Sequence, residues 1–129
     1  MRLFILFLVF ISNYSLAQVK YGEEIRAKYF ETYVWSYSND KYELESGSWL
    51  NMRILPEADY YLVQFEDEEI TKVWWEFSKR NDNENDSYIT EAGNKLLFHY
   101  ESQEIWLYSE PDESQRYKSL IVFSKLEVD

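Results

Sequence analysis

Residues 70–79 read ITKVWWEFSK, and this stretch decides the fold class. Apolar side chains occupy every second position, at Val73, Trp75 and Phe77. The positions between them hold Lys72, Trp74 and Glu76. A period of two predicts a β-strand with one buried face and one solvent-facing side. The two adjacent tryptophans must therefore point to opposite sides, with Trp75 in the core and Trp74 exposed.

Seven further stretches alternate in the same way or are rich in aromatic and β-branched residues. They cover residues 28–36, 49–55, 60–65, 87–90, 95–101, 105–109 and 117–126. Alanine, which favours helices, is rare after residue 17. Residues 23–32 also fit helical spacing, so the chain begins either with a strand or with a short helix. The prediction is an all-β chain of about eight strands.

Short turn signals separate these stretches, at residues 38–40, 46–48, 56–59, 81–86, 91–94, 102–103 and 111–115. Parallel strands need crossovers of about a dozen residues or more, and no connection after Trp49 is that long. Successive strands are therefore expected to pair antiparallel, as a meander. Without helices to cover a sheet face, the sheet must close into a small barrel or fold into a two-layer sandwich, and the barrel is preferred.

Composition excludes several classes of function. The chain has 129 residues, which allows one small domain, with 24 acidic residues, 13 basic residues, one histidine and no cysteine. Disulfide frameworks, thiolate metal sites and thiol nucleophiles are therefore ruled out. The formal net charge of −11 disfavours nucleic acid and anionic membranes as partners, because binding to phosphate needs a basic surface.

The first 17 residues have the three parts of a secretory signal. Met1 and Arg2 precede an apolar run over residues 3–11, and small residues follow at Ser15 and Ala17. We expect cleavage after Ala17, which leaves one β domain over residues 18–129. The product is expected to be secreted or periplasmic, without a membrane anchor, and monomeric.

Acidic residues concentrate in the turns. In a meander alternate turns share one end, so the turns at 38–48, 66–69, 91–94 and 110–116 are expected at one pole. The acids that characterise this pole are Glu66, Asp67, Glu68, Glu69, Asp112 and Glu113. The turns at 56–59, 82–86 and 101–104 are expected at the other. Such poles are solvated surfaces that keep a protein soluble, or surfaces that attract a basic protein partner.

Calcium is a weaker expectation. Asp82, Glu84 and Asp86 have the spacing that opens an oxygen-ligand loop. Ser87 and Gly93 stand where an EF-hand needs glycine and glutamate, so the full motif is absent and only an irregular calcium site remains open. No other cofactor is expected.

Aromatic residues form the candidate binding platform. In residues 105–109, Ile105 and Leu107 share one face while Trp106 and Tyr108 share the other. Trp74, Trp106 and Tyr108 either pack against each other or form a planar surface for a small amphipathic ligand.

No catalytic motif accompanies these features. His99 is the only imidazole and no nucleophile turn is present. We therefore expect an exported, non-catalytic binding protein whose ligand is a small amphipathic molecule or a basic protein. The alternatives are a small extracytoplasmic hydrolase that uses paired carboxylates, and a structural envelope component that associates through an exposed strand edge.

Overall fold

The computed structural model describes Leu16 and residues 18–81, 85–109 and 117–128. Within these residues, eight strands follow one another: β1 (Ile25–Ser36), β2 (Lys41–Pro56), β3 (Tyr60–Phe65), β4 (Thr71–Asn81), β5 (Asn85–Thr90), β6 (Lys95–His99), β7 (Glu104–Tyr108) and β8 (Ser119–Val128). The described residues contain no helix, and so none that could cross a membrane.

Each strand pairs antiparallel with the next, and β8 pairs antiparallel with β1, so one meander sheet closes into a ring. This confirms the predicted all-β meander of eight strands. The ring is not a regular barrel, because its strands differ in length. β2 has 16 residues, yet its ladder with β3 covers only residues 52–56.

The apolar core fills the ring around Trp75, which is 3% exposed. Its ring stacks on Tyr88 with a centroid distance of 4.0 Å and meets Phe98 edge-on at 6.0 Å. The indole N–H donates to the main-chain carbonyl of Glu57 at 2.8 Å. The predicted inward orientation of Trp75 is therefore confirmed, and the indole joins β4 to the β2–β3 turn.

A second apolar layer lies on the outer face of β6–β8. Leu96 and Phe98 belong to the core, so Leu97 between them points outward, yet it is buried. Val122 and Leu120 are also buried and lie opposite Trp106 and Tyr108 in the β7–β8 ladder. Both faces of this part of the sheet are therefore covered by apolar side chains.

The predicted turn at residues 46–48 is wrong, because β2 runs straight through it. A Cβ atom placed on Gly47 would lie 2.7 Å from the hydroxyl oxygen of Tyr29 and 3.3 Å from the carbonyl oxygen of Phe30. Glycine thus makes room here for a neighbouring side chain and does not reverse the chain. The β1–β2 turn lies at residues 37–40, where Asp40 adopts a positive φ of 53°.

The chain before β1 closes one end of the ring. No helix forms over residues 23–32; β1 begins at Ile25 instead. Leu16 and Val19 are buried against the core. The main-chain N–H of Leu16 donates to the Gln103 side chain, and the N–H of Val19 donates to the Tyr100 hydroxyl. Cleavage after Ala17, which stays a prediction, would remove Leu16 from this end.

Candidate functional site

The candidate site is a groove of about 560 Å³ on the outside of β4 and β5. We call it the Trp74 groove; it is lined by Asp59, Trp74, Trp75, Glu76, Ile89, Thr90 and Glu91. Trp74 is 46% exposed and Ile89 is 39% exposed, so the groove offers apolar surface to solvent. Among the described residues, this lining includes three acidic residues and no basic residue.

The stagger of the strands creates the groove. β4 pairs with β3 over residues 71–74 and with β5 from Trp75 onward. The main-chain N–H of Trp75 donates to the carbonyl of Asp59 at 3.0 Å, and the N–H of Glu91 donates to the carbonyl of Trp74 at 2.9 Å. The turn before β3 and the turn after β5 therefore meet on either side of Trp74.

This meeting corrects the predicted arrangement of the acidic turns. Alternation alone placed Asp59 at one pole and Glu91 at the opposite pole, but both line the Trp74 groove. The prediction failed because it treated all strands as equal in length and in register. Asp59 and Glu91 were therefore missed as site residues, since only the pairing registers of β3 and β5 bring them together.

The ammonium group of Lys72 already contacts the exposed aromatic rings beside the groove. Tyr60 is opposite Trp74 in the β3–β4 ladder, and their rings meet edge-to-face at 5.5 Å. The Nζ atom of Lys72 is 4.2 Å from the ring centroid of Tyr60 and 4.6 Å from that of Trp74. Both distances are within the range of a cation–π contact, so these rings present a face that attracts positive charge.

Trp106 and Tyr108 are not among the residues that line this groove; they lie on the outer face of β7, two strands from β5. Their rings are 6.3 Å apart, Trp106 stacks on His99 at 5.2 Å, and Tyr108 meets Tyr117 at 4.8 Å. Both side chains are half-buried. Burial, together with the neighbouring Tyr42 and Tyr117, raises the pKa of Tyr108 to about 12. These contacts make Trp106 and Tyr108 a cover for the second apolar layer.

His99 makes local contacts as well. Its Nδ1 atom and the Ser102 hydroxyl oxygen are 2.9 Å apart, and its ring stacks on Trp106. Trp106 in turn donates its indole N–H to the carboxylate of Glu104 at 2.9 Å. His99 thus belongs to the outer aromatic cover of β6–β7.

Part of the predicted acidic pole is structural. Glu66, with a positive φ of 53°, donates its main-chain N–H to the Asn51 carbonyl at 2.7 Å. Its carboxylate accepts from the main-chain N–H and from the side-chain amide of Asn51 at 3.0 and 3.3 Å. Asp67, Glu68 and Glu69 are exposed beside it. Asp112 and Glu113 lie outside the described residues.

Asp86, a candidate calcium ligand, is buried instead of lying on an acidic turn. It is 2% exposed, and it accepts hydrogen bonds from the Arg80 guanidinium and the Tyr100 hydroxyl. Burial by itself would raise the pKa of Asp86, but these hydrogen bonds and the positive charge of Arg80 outweigh burial and lower it. Asp82 and Glu84 lie outside the described residues. Where the chain is described, no group of His, Asp and Glu side chains is arranged to hold a metal ion.

Comparison of the chain with protein-family models, with curated proteins and with solved structures finds no match.

Proposed function

We propose that this protein is a non-catalytic binding domain that takes a lysine or arginine side chain of a basic protein into the Trp74 groove. The observation that carries the proposal is the groove itself. It combines the exposed face of Trp74 with the carboxylates of Asp59, Glu76 and Glu91. A lysine or arginine has an apolar stem and a cationic end, which suit the indole and the carboxylates respectively.

The charges around the groove also support a cationic partner. Its three acidic residues outnumber the neighbouring bases Lys72 and Lys95, the latter opposite Ile89 in the β5–β6 ladder, and the whole chain carries a net charge of −11. Fields of one sign increase the rate at which an oppositely charged protein is encountered. A neutral amphipathic ligand would use Trp74 and Ile89 and would donate hydrogen bonds to the acids, but it would gain nothing from their net charge.

A paired-carboxylate hydrolase is the second candidate, because the groove collects three acids in one concave place. All three acidic residues are exposed, however, and general acids in hydrolases are typically carboxyls in apolar surroundings. The groove therefore suits electrostatic binding better than proton transfer.

Calorimetric titration with short peptides tests the proposal. The probes are an arginine-containing peptide and a control in which each arginine is replaced by norleucine. Between about 50 and 500 mM salt the Debye length falls from about 14 to about 4 Å, so we expect affinity for the arginine peptide to drop at least about tenfold. Trp74→Ala and Glu76→Gln should each weaken binding severalfold.

The matched control for charge is Glu101→Gln, an exposed turn residue outside the groove. It should leave the affinity within about twofold of the original value. Equal binding of the norleucine peptide, with no effect of salt, would instead establish a neutral amphipathic ligand. Release of product from glycoside or ester substrates that is lost in Glu76→Gln would establish the hydrolase.

A further inference from the structure

One stretch of β2 pairs with β1 on one side but has no ladder partner on its other side among the described residues. Residues 46–49 pair with residues 29–32 of β1, whereas the β2–β3 ladder begins only at Met52. Glu66 causes this gap: its main-chain N–H bonds to the Asn51 carbonyl, and the chain then turns away toward β4. We call residues 46–49 the β2 edge.

The β2 edge is accessible, and its backbone pairs regularly with β1. The β1–β2 register shifts only outside the β2 edge, near Ala27 and near Tyr33. In an antiparallel ladder, N–H and C=O groups point alternately to the two sides, so two of the four residues direct both groups away from β1. All four residues are exposed, and Ser46, Gly47 and Ser48 have small side chains.

Trp49 provides an apolar anchor at the end of this edge. Its side chain is 68% exposed, and its ring meets Tyr29 edge-to-face at 5.1 Å. Large exposed aromatic side chains are enriched at protein interfaces and contribute strongly to binding there. The β2 edge thus joins an accessible backbone to an exposed indole.

Acids lie around the edge on several sides. Glu43 and Glu45 precede it on β2, Glu66 and Asp67 follow beyond Asn51, and Glu31 packs beside Gly47. Two lysines are also near. Lys28 is paired with Glu127 at 3.0 Å, and the Nζ atom of Lys125 is 5.5 Å from the Trp49 ring. Acids outnumber bases, so the surroundings favour a positively charged segment.

We infer that the β2 edge accepts an extended, basic segment of a partner protein as an additional antiparallel strand. Main-chain hydrogen bonds to residues 46–49 would hold the segment, Trp49 would contact an apolar side chain, and the surrounding acids would select lysine and arginine. A second copy of this chain suits the edge less well, since each copy carries a net charge of −11. The surface is separate from the Trp74 groove, so either proposal can fail alone.

Amide hydrogen exchange of the full chain tests this inference. The probe is a peptide of about seven residues that alternates lysine with valine, and its control alternates glutamate with valine. At saturating lysine peptide, exchange at the outward-pointing amides of residues 46–49 should slow at least about tenfold. The glutamate peptide should give no protection.

Charge substitutions at one position on the edge sharpen the test. Ser48→Glu should strengthen and Ser48→Lys should weaken binding of the lysine peptide by about threefold each. Ser78→Lys, an equal charge change at an exposed position on β4, should change it less. Protection by both peptides alike, protection confined to other strands, or protection that grows with protein concentration without peptide would each overturn the proposal. The last result would identify a second copy as the occupant.

Discussion

Arg80 and Asp86, which lie opposite each other in the β4–β5 ladder, form a bidentate salt bridge. The guanidinium Nε and Nη2 atoms donate to the two carboxylate oxygens at 2.7 and 2.9 Å. The Arg80 side chain is 40% exposed, whereas that of Asp86 is 2% exposed. The Tyr100 hydroxyl also donates to Asp86 and accepts from the Val19 N–H. The pair therefore links β4, β5, the β6–β7 turn and the N-terminal segment through one buried carboxylate.

This asymmetry in exposure predicts unequal effects of removing the partners. Asp86→Asn should lower the free energy of unfolding by about 1–3 kcal/mol, because Arg80 can return to water. Arg80→Met should cost more than Asp86→Asn, because the carboxylate would remain buried without its counter-charge. Denaturant unfolding of both variants checks this. Equal losses, or a larger loss for Asp86→Asn, would contradict it.

The lowered pKa of Asp86 predicts sensitivity to acid. The unfolded chain takes up its proton at a higher pH than the folded chain, so the contribution of Asp86 is present above its ordinary pKa of 3.8. It is lost as the pH falls through the lower, folded-state pKa. The difference in stability between the original chain and Asp86→Asn should therefore shrink below about pH 4. A difference that stays constant down to pH 2 would show that the carboxylate is not responsible.

The adjacent tryptophans predict opposite outcomes for the same substitution. Trp75→Ala should destabilise the fold by about 3–5 kcal/mol, since it removes a buried ring and leaves the Glu57 carbonyl without its donor. Trp74→Ala should cost less than about 1 kcal/mol, because nearly half of that side chain is exposed. Urea unfolding compares the two directly. Similar losses would mean that Trp74 is part of the core.

Much of this fold could be predicted because its signals are local. Alternation along ITKVWWEFSK assigns Trp75 to the core and Trp74 to the surface, but it wrongly places Phe77 on the buried face, since Phe77 is 51% exposed beside a register shift in the β4–β5 ladder. Gly93, at a φ of 89°, lies in a turn that the sequence indicates. Gly47 was misinterpreted because a close approach by Tyr29, which is distant in sequence, explains it as well as a turn does.

The candidate site was harder to predict, because it depends on register. Asp59 and Glu91 reach Trp74 only through the stagger of β3 and β5 against β4. The burial of Asp86 likewise depends on register, which places it opposite Arg80. Composition shows many acids but does not distinguish those on turns from Asp86, which is buried.

Tyr61 predicts a loss of stability at high pH. Its side chain is buried, and burial raises its pKa to about 12 from an ordinary value of 10.0. The unfolded chain loses this proton first, so the contribution of Tyr61 is complete below pH 10 and is lost as the pH rises toward 12. Tyr61→Phe should reduce the fall in stability over this range, as followed by denaturant unfolding at several pH values. Tyr60→Phe is the neighbouring control, and an equal effect there would contradict the assignment.

Lys72 provides the strictest test of the Trp74 groove. Its ammonium group occupies the faces of Tyr60 and Trp74 and offsets part of the charge of the three carboxylates. An incoming arginine must displace it or bind beside it. Lys72→Ala should therefore raise the affinity for the arginine peptide by about two- to fivefold at low salt, since a cation–π contact of about 0.5–1 kcal/mol no longer competes.

Lys118→Ala is the matched control, because it removes an equal charge at an exposed position on another part of the ring. It should raise the affinity by less than about twofold, through the change in net charge alone. If Lys72 instead served to hold the Tyr60 and Trp74 rings in place, its loss would weaken peptide binding. A fall in affinity in the calorimetric titration would therefore reject the proposed competition between Lys72 and the partner's cation. It would indicate instead that Lys72 holds the Tyr60 and Trp74 rings in the arrangement that binds the peptide.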